Sequence, residues 1–157
     1  MKIDAKSQLE FFLGKHPEVI FSGFANEIQT FTPQQVWTHV VRIGSQPSVV
    51  FSDRCMEDAS KSWWKLAQSA ELISATTSDV SCLISIGGLG LLPWAMVQFP
   101  LETPILEVFA VNRESPEFIV SSKSKDTYLA VVREEDEIWI YFVNRCGSEL
   151  KTMLPQP

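Results

Sequence analysis

The chain has 157 residues, of which 45% are apolar and 20% are charged, and its formal net charge is -6. This length and balance suit one domain with its own hydrophobic core, and they exclude a disordered polyelectrolyte. The negative charge argues against nucleic acid or an anionic membrane as the partner, because both attract clustered lysine and arginine.

The cysteines indicate the compartment. Cys55, Cys82 and Cys146 are odd in number, lie far apart and form no CxxC pair, and the N-terminus lacks the apolar segment of a secretory signal. These features favour a reducing, cytoplasmic location. The longest apolar run, residues 83–100, is broken by glycines and by Pro93, so we expect no membrane-spanning segment.

The first elements in chain order are a helix and a strand. Ser7 and Glu10 have the spacing of a capping box, and apolar residues share one face, which predicts a helix over residues 4–14. Residues 18–24 alternate as a strand does, and residues 27–31 are expected to be its hairpin partner.

The second helix has the strongest local signal. Thr32 and Gln35 have capping-box spacing, and Pro33 falls at the first helical position, where its missing N–H costs nothing. We predict that this helix runs to about Ile43 and that Gly44 ends it.

A short strand over residues 48–51 precedes a third helix, which Ser52 or Asp53 is expected to cap and which should reach about Ser74. The inward stripe of this helix is predicted to be Met56, Ala59, Trp63, Leu66 and Ala70. Trp64 lies about 100° away from the stripe, either on the rim of the core or on a binding face.

The second half of the chain is mostly β in character. Residues 80–86 suit a short helix or a buried strand equally, and Pro93 argues against a place for residues 91–99 in the middle of a sheet. Four strands are predicted, over residues 105–111, 117–122, 127–133 and 137–144. The last of these is apolar on both faces and therefore needs cover on both sides.

The predicted fold class is therefore α+β. We expect a single domain over residues 1–157, with an antiparallel sheet of about four to six strands that ends in a C-terminal meander. Three or so helices, mostly from the N-terminal half, should pack on this sheet. The tail after Gly147 is expected to make little contact.

The sequence contains no catalytic, metal or cofactor motif. His16 and His39 lack metal-ligand spacing, and the glycine-rich residues 87–90 are not followed by the Lys-Ser/Thr pair of a phosphate loop. We therefore assign no catalytic, cofactor or metal residue. A small enzyme whose groups come from distant positions, using Cys55, His39 or Glu107, is an alternative.

The acidic link between the last two predicted strands is the main candidate for a binding site. Its carboxylates form either a solvated turn or a docking point for the lysines and arginines of a partner. Glutamates of a neighbouring link extend this surface if both links fall at one end of the sheet, and a tryptophan is a candidate anchor. The candidate partner-binding residues are Glu134, Glu135, Asp136, Glu137, Glu114, Glu117 and Trp64.

In its size, acidity, cysteine usage and C-terminal meander, DTYLAVVREEDEIWIYFVN, the chain resembles the small acidic immunity proteins that bacteria pair with contact-dependent or interbacterial toxins. The resemblance implies a protein that binds and neutralises one cognate toxin, expected to be basic and of the nuclease type, without catalysis. Carboxylates suit this role because they stand in for the phosphates that a nuclease binds. A secretion chaperone that holds an effector segment is the alternative among binding proteins.

Overall fold

One antiparallel sheet of eight strands organises the described part of the chain. The structure is a computed structural model that describes residues 4–25, 31–42, 45–69, 79–89, 91–109, 117–122 and 126–153. The strands are β1 Ile20–Phe24, β2 Val49–Ser52, β3 Asp79–Ile86, β4 Ala95–Pro100, β5 Phe118–Ser121, β6 Thr127–Glu134, β7 Glu137–Cys146 and β8 Glu149–Met153. The helices are α1 Ala5–Gly14, α2 Pro33–Val41, α3 Met56–Ser69 and α4 Ile105–Val108.

The strand order confirms the α+β class and the C-terminal meander. The order across the sheet is β1-β4-β3-β5-β6-β7, and β7 then has two neighbours on its far side. Its first half pairs with β2 and its second half pairs with β8. Strands β5 to β8 follow one another both in the chain and in the sheet, which makes the meander.

Both faces of the sheet are covered, as the two apolar faces of the last predicted strand require. On one face, residues such as Ile138 and Ile140 share a core with α1, α3 and α4. On the other face, Tyr141 and Val143 share a second core with α2 and with Trp94. The molecule therefore has three layers, with the sheet in the middle.

The capping box of α2 is confirmed. The backbone N–H of Gln35 donates to Thr32 Oγ1 at 3.2 Å, and the backbone N–H of Thr32 donates to Gln35 Oε1 at 2.8 Å. Pro33 is the first helical residue. The helix is described to Val41, so the predicted end at residues 43 and 44 lies outside the described residues.

The predicted caps of the other two long helices are wrong. Asp4 caps α1 by accepting the backbone N–H of Ser7 at 2.8 Å, which places the start of the helix before the Ser7 position. Helix α3 begins only at Met56, and the Asp53 carboxylate forms an ion pair with Arg133 at 3.0 Å instead of capping it. Asp and Ser side chains can bond to several kinds of nearby or distant group, and local spacing does not choose between them.

The prediction of a strand over residues 105–111 is wrong in its described part. Residues Ile105–Val108 form the short helix α4, and the backbone N–H of Leu106 donates to Ser60 Oγ of α3 at 3.1 Å. Ile105 and Leu106 are fully buried there. A run as short as Ile105–Val108, in which three of four residues are apolar, can be buried as one helical turn or as a strand, and its sequence does not distinguish the two.

The expectation of a loosely packed tail is also wrong as far as Met153, and its last four residues lie outside the described residues. Gly147 and Ser148 form a two-residue turn, and β8 then pairs with β7 as far as Met153. Gly147 has a φ of +64°, a left-handed conformation that glycine adopts without a side-chain penalty. This additional strand is one reason why the sheet has eight strands rather than four to six.

Strands β3 and β4 give the outcome of two further predictions, those for residues 80–86 and 91–99. Residues 79–86 are a strand, and β4 lies inside the sheet between β1 and β3, contrary to the expectation drawn from Pro93. Pro93 precedes β4, so its missing N–H removes no bond of the ladder. Strand β1 pairs with β4, and the hairpin partner predicted at residues 27–31 lies, apart from Phe31, outside the described residues.

Ser48 joins the two strands that share one side of β7. Its backbone N–H donates to the Ile140 carbonyl at 2.8 Å, and its hydroxyl accepts the backbone N–H of Phe142 at 2.9 Å. The same hydroxyl donates to the Met153 carbonyl at the end of β8. The side chain thus satisfies backbone groups at the point along β7 where β2 begins and β8 ends.

We predict that Ser48→Ala lowers the free energy of unfolding by about 1–2 kcal/mol, because it leaves the Phe142 N–H and the Met153 carbonyl without this partner in a partly buried place. Urea denaturation measures the change. Ser52→Ala is the matched control, since the exposed Ser52 hydroxyl accepts only the Arg54 N–H, at 3.3 Å. Equal losses in the two variants would contradict the role given to Ser48.

Candidate protein-binding surface

The acidic link predicted from the sequence is the turn between β6 and β7. Glu135 and Asp136 form its loop, Glu134 faces Glu137 across the last pair of the ladder, and all four side chains are exposed. Like charges opposite each other in a sheet are destabilising. Glu135 also has a φ of 54°, which costs a residue with a side chain about 1–2 kcal/mol. The turn is therefore not optimised for stability.

The tip of this hairpin is held against the end of β2. The Arg133 guanidinium donates to Asp53 Oδ2 at 3.0 Å and to the Glu135 carbonyl at 3.0 Å. The backbone N–H of Asp53 donates to the Asp136 carbonyl at 2.8 Å. These bonds fix the backbone of the turn, so its carboxylates project from a defined position.

Trp139 lies next to the hairpin on the face of the sheet that α2 covers. It is half-buried, and its indole N–H donates to Glu137 Oε1 at 3.2 Å. An aromatic side chain with part of its surface in solvent is thus fixed beside the acidic turn. Aromatic residues of this kind are typical anchors of protein interfaces.

Glu117 lies beside Glu134 at the same end of the sheet. Its side chain is half-buried, and burial raises the pKa of its carboxyl group above the ordinary value, with a further increase from the negative charge of Glu134. The structure thus brings together two links that are separate in the sequence. Glu114, the other glutamate assigned to this surface, lies outside the described residues.

A cleft of about 420 Å³ opens next to Glu117, between α2 and the connection from β3 to β4. Its lining residues are Gln34, Trp37, Thr38, Val41, Gly87, Gly88, Leu91 and Glu117. Two of the apolar residues are strongly exposed, Leu91 at 83% and Val41 at 59%. Exposed apolar side chains beside a carboxylate are suited to contact with another protein.

Sequence analysis did not select Trp37, Val41 or Leu91. Val41 and Trp37 lie on α2, and the sequence shows which face of this helix is buried. Because both are apolar residues outside that buried face, their positions could have marked them as candidates for contact with a partner. Leu91 lies in an irregular connection and carries no such signal. Only the packing of α2 against the sheet brings the three side chains to one cleft.

Trp64 is buried, with 7% of its surface exposed, and its indole N–H donates to the Thr103 carbonyl at 2.7 Å. It packs edge-on against Trp63 and Phe99. The sequence left two positions open for Trp64, the rim of the core and a binding face, and its burial corresponds to the rim of the core. Its exposed edge lines a separate cleft of about 510 Å³ between α3 and the segment before α4, away from the acidic hairpin.

The residues considered for an enzyme are dispersed. Cys55, Cys146 and Glu107 are exposed. His39 Nε2 lies 2.9 Å from Thr152 Oγ1, and burial, together with the nearby Arg42, lowers the pKa of His39. None of these side chains lines either of the two clefts described above.

Two further features concern metals and membranes. Within the described ranges, no three His, Cys, Asp or Glu side chains are grouped so that they could hold a metal ion. In the same part of the chain, no helix combines the length and the apolar character needed to cross a membrane.

Comparison with known protein families, with characterised proteins and with solved structures gives no match for this chain.

We predict that the Glu117 carboxyl group titrates above the usual glutamate range and that Glu134→Gln lowers its pKa only in part. Burial is the larger cause of the shift and remains in the variant, whereas the repulsion from Glu134 is removed. Carbon-13 NMR of the glutamate side chains measures both values. Glu137→Gln is the control and should change the Glu117 pKa less, because Glu137 does not contribute to the shift.

The raised pKa of Glu117 also makes the free energy of unfolding depend on pH. Because the pKa of Glu117 is higher in the folded protein than in the unfolded chain, its contribution to stability falls as the pH rises from the unfolded value through the folded value. Glu117→Gln should remove this decrease in urea denaturation series taken from pH 4 to pH 7. An ordinary folded pKa, or an unchanged pH dependence in the variant, would contradict the placement of Glu117.

Proposed function

We propose that this protein binds a basic protein partner and neutralises it, most concretely as an immunity protein for a cognate nuclease-type toxin. The proposal is supported by a group of five carboxylates at one end of the sheet, beside which Arg133 is directed to Asp53 and to a backbone carbonyl. In the described part of the chain, no lysine or arginine forms an ion pair with Glu117 or with the four acidic residues of the hairpin.

Some carboxylates elsewhere on the surface form ion pairs, whereas others, such as Glu107 and Glu149, form none within the described residues. Glu10 pairs with Lys6, Glu57 with Lys61, and Asp126 with Arg145. The hairpin end differs from the rest of the described surface in that five carboxylates without an ion pair are gathered at one place, which the net charge of -6 alone does not require. This difference is the observation on which the proposal depends.

Such a surface has two physical consequences for a basic partner. Its negative potential speeds the encounter and orients the partner before contact. Its carboxylates can then occupy the positions of nucleic-acid phosphates in a basic active site, because both groups accept charge-assisted hydrogen bonds from arginine and lysine. The fixed backbone of the hairpin reduces the entropy that binding costs.

The other two functions retain less support from the geometry. A secretion chaperone needs a long apolar groove, whereas the exposed Val41 and Leu91 flank a short cleft. A small enzyme built on Cys55, His39 or Glu107 needs a cleft for its substrate, and none of the three lines the two clefts described above. Both stay alternatives to be tested by what the protein binds.

We predict that Glu135→Lys combined with Asp136→Lys slows association with the partner by about tenfold at low salt, with a smaller change in the dissociation rate. The reason is that these side chains are exposed and act mainly on the encounter. Capture from the native host identifies the partner, and surface plasmon resonance at two salt concentrations measures the rates.

The matched control reverses two carboxylates away from this end, Glu10→Lys with Glu149→Lys. It changes the net charge by the same amount, and both sites are exposed. Glu149 follows the turn at the opposite end of β7. If both double variants slow association equally, only the net charge matters and the hairpin is not the binding surface. An unchanged rate in both would contradict the proposed function itself.

A further inference from the structure

The cleft beside α2 has one charged residue in an otherwise neutral lining. Glu117 contributes the carboxylate, and the remaining lining comes from apolar side chains, uncharged polar side chains and two glycines. The cleft lies at the edge of the acidic surface because Glu117 adjoins Glu134. It therefore offers a more specific contact than the exposed hairpin does.

The charge of Glu117 is not compensated in the free protein. Its carboxylate is half-buried, the charge of Glu134 repels it, and no cation among the described residues pairs with it. A partly buried carboxylate without a counterion is unfavourable. A cation that entered the cleft would relieve both the burial and the repulsion.

The walls of the cleft are held in place before any partner arrives. The Trp37 indole N–H donates to Ser85 Oγ at 2.8 Å, which fixes the ring against the sheet. The Gly87 N–H donates to the Glu117 carbonyl at 2.8 Å, and a Cβ on Gly87 would lie 2.7 Å from Glu117 Cβ. Glycine at this position allows the close approach that sets the Glu117 backbone. Such preorganisation lowers the entropic cost of binding.

We infer that this cleft binds an arginine side chain of the partner, with the guanidinium at the Glu117 carboxylate and the methylene stem against Val41 and Leu91. The inference rests on the proposed function, since the arginine comes from the basic protein that the acidic surface attracts. A guanidinium is planar, makes paired hydrogen bonds to a carboxylate and stacks on aromatic rings such as that of Trp37. A lysine ammonium matches only the charge.

The test uses the full chain and a probe in place of the partner. N-acetyl-arginine amide is titrated into nitrogen-15-labelled protein, and NMR follows the Trp37 indole N–H and the backbone N–H groups of Thr38, Gly87 and Gly88. We expect saturable shifts at these positions. N-acetyl-citrulline amide has nearly the same shape without the charge, and it should cause no saturable shift there.

Two variants and one control keep the result interpretable. Glu117→Gln should weaken probe binding by about tenfold, the effect of losing one charge-assisted hydrogen bond. Gln34→Arg places a cation in the cleft from an exposed position on α2 and should block the probe. Glu57→Gln alters the lining of the other cleft and should leave probe binding unchanged.

Several outcomes would overturn the inference. They are equal binding of the citrulline analogue, unchanged binding to the Glu117→Gln variant, and shifts confined to the β6–β7 hairpin. Equal affinity for N-acetyl-lysine amide would overturn the choice of arginine. Any of these results leaves the proposed function standing, because that proposal is tested by charge reversal in the hairpin with the captured partner. Conversely, loss of the hairpin effect would not change how the probe binds to the cleft.

Discussion

Burial of both faces of β7 is the constraint on which the rest of this fold depends. Ile138 and Ile140 on one face and Tyr141 and Val143 on the other are all at most 1% exposed. A strand of this kind is stable only when cover is present on both sides, and one layer of helices would leave half of these side chains in water. The separation of α2 from α1, α3 and α4 follows from this requirement.

The two ends of β7 differ in how well their local structure is stabilised. At its C-terminal end a turn containing glycine brings β8 back onto the sheet, and Ser48 completes the hydrogen bonding where β8 meets β2. At its N-terminal end the turn has no glycine, carries a left-handed Glu135 and sets Glu134 opposite Glu137. Local strain and repulsion of this kind are typical of surfaces that natural proteins keep for recognition. The cleft at Glu117 adjoins this less stable end.

Local interactions were predictable, and contacts between distant segments were not. The capping box of α2 involves Thr32 and Gln35, three residues apart, so the sequence alone contains both partners. The helix at residues 105–108 depends on Ser60 and on burial against α3, which nothing near it in the sequence indicates. Strand β8 likewise depends on the second half of β7, whose edge β2 does not pair with. Strand number was therefore underestimated, although the class and the meander were correct.

For the candidate site, the sequence by itself determined that an exposed acidic turn separates two apolar strands, because alternating β-favouring residues and a charged break are local properties. It also determined that the second strand needs cover on both sides. Only the tertiary structure decided that Glu117 lies beside Glu134, that Trp64 turns into the core and that Trp37, Val41 and Leu91 share a cleft. These facts depend on strand order and on how α2 packs, and both are set by contacts between residues far apart in the chain.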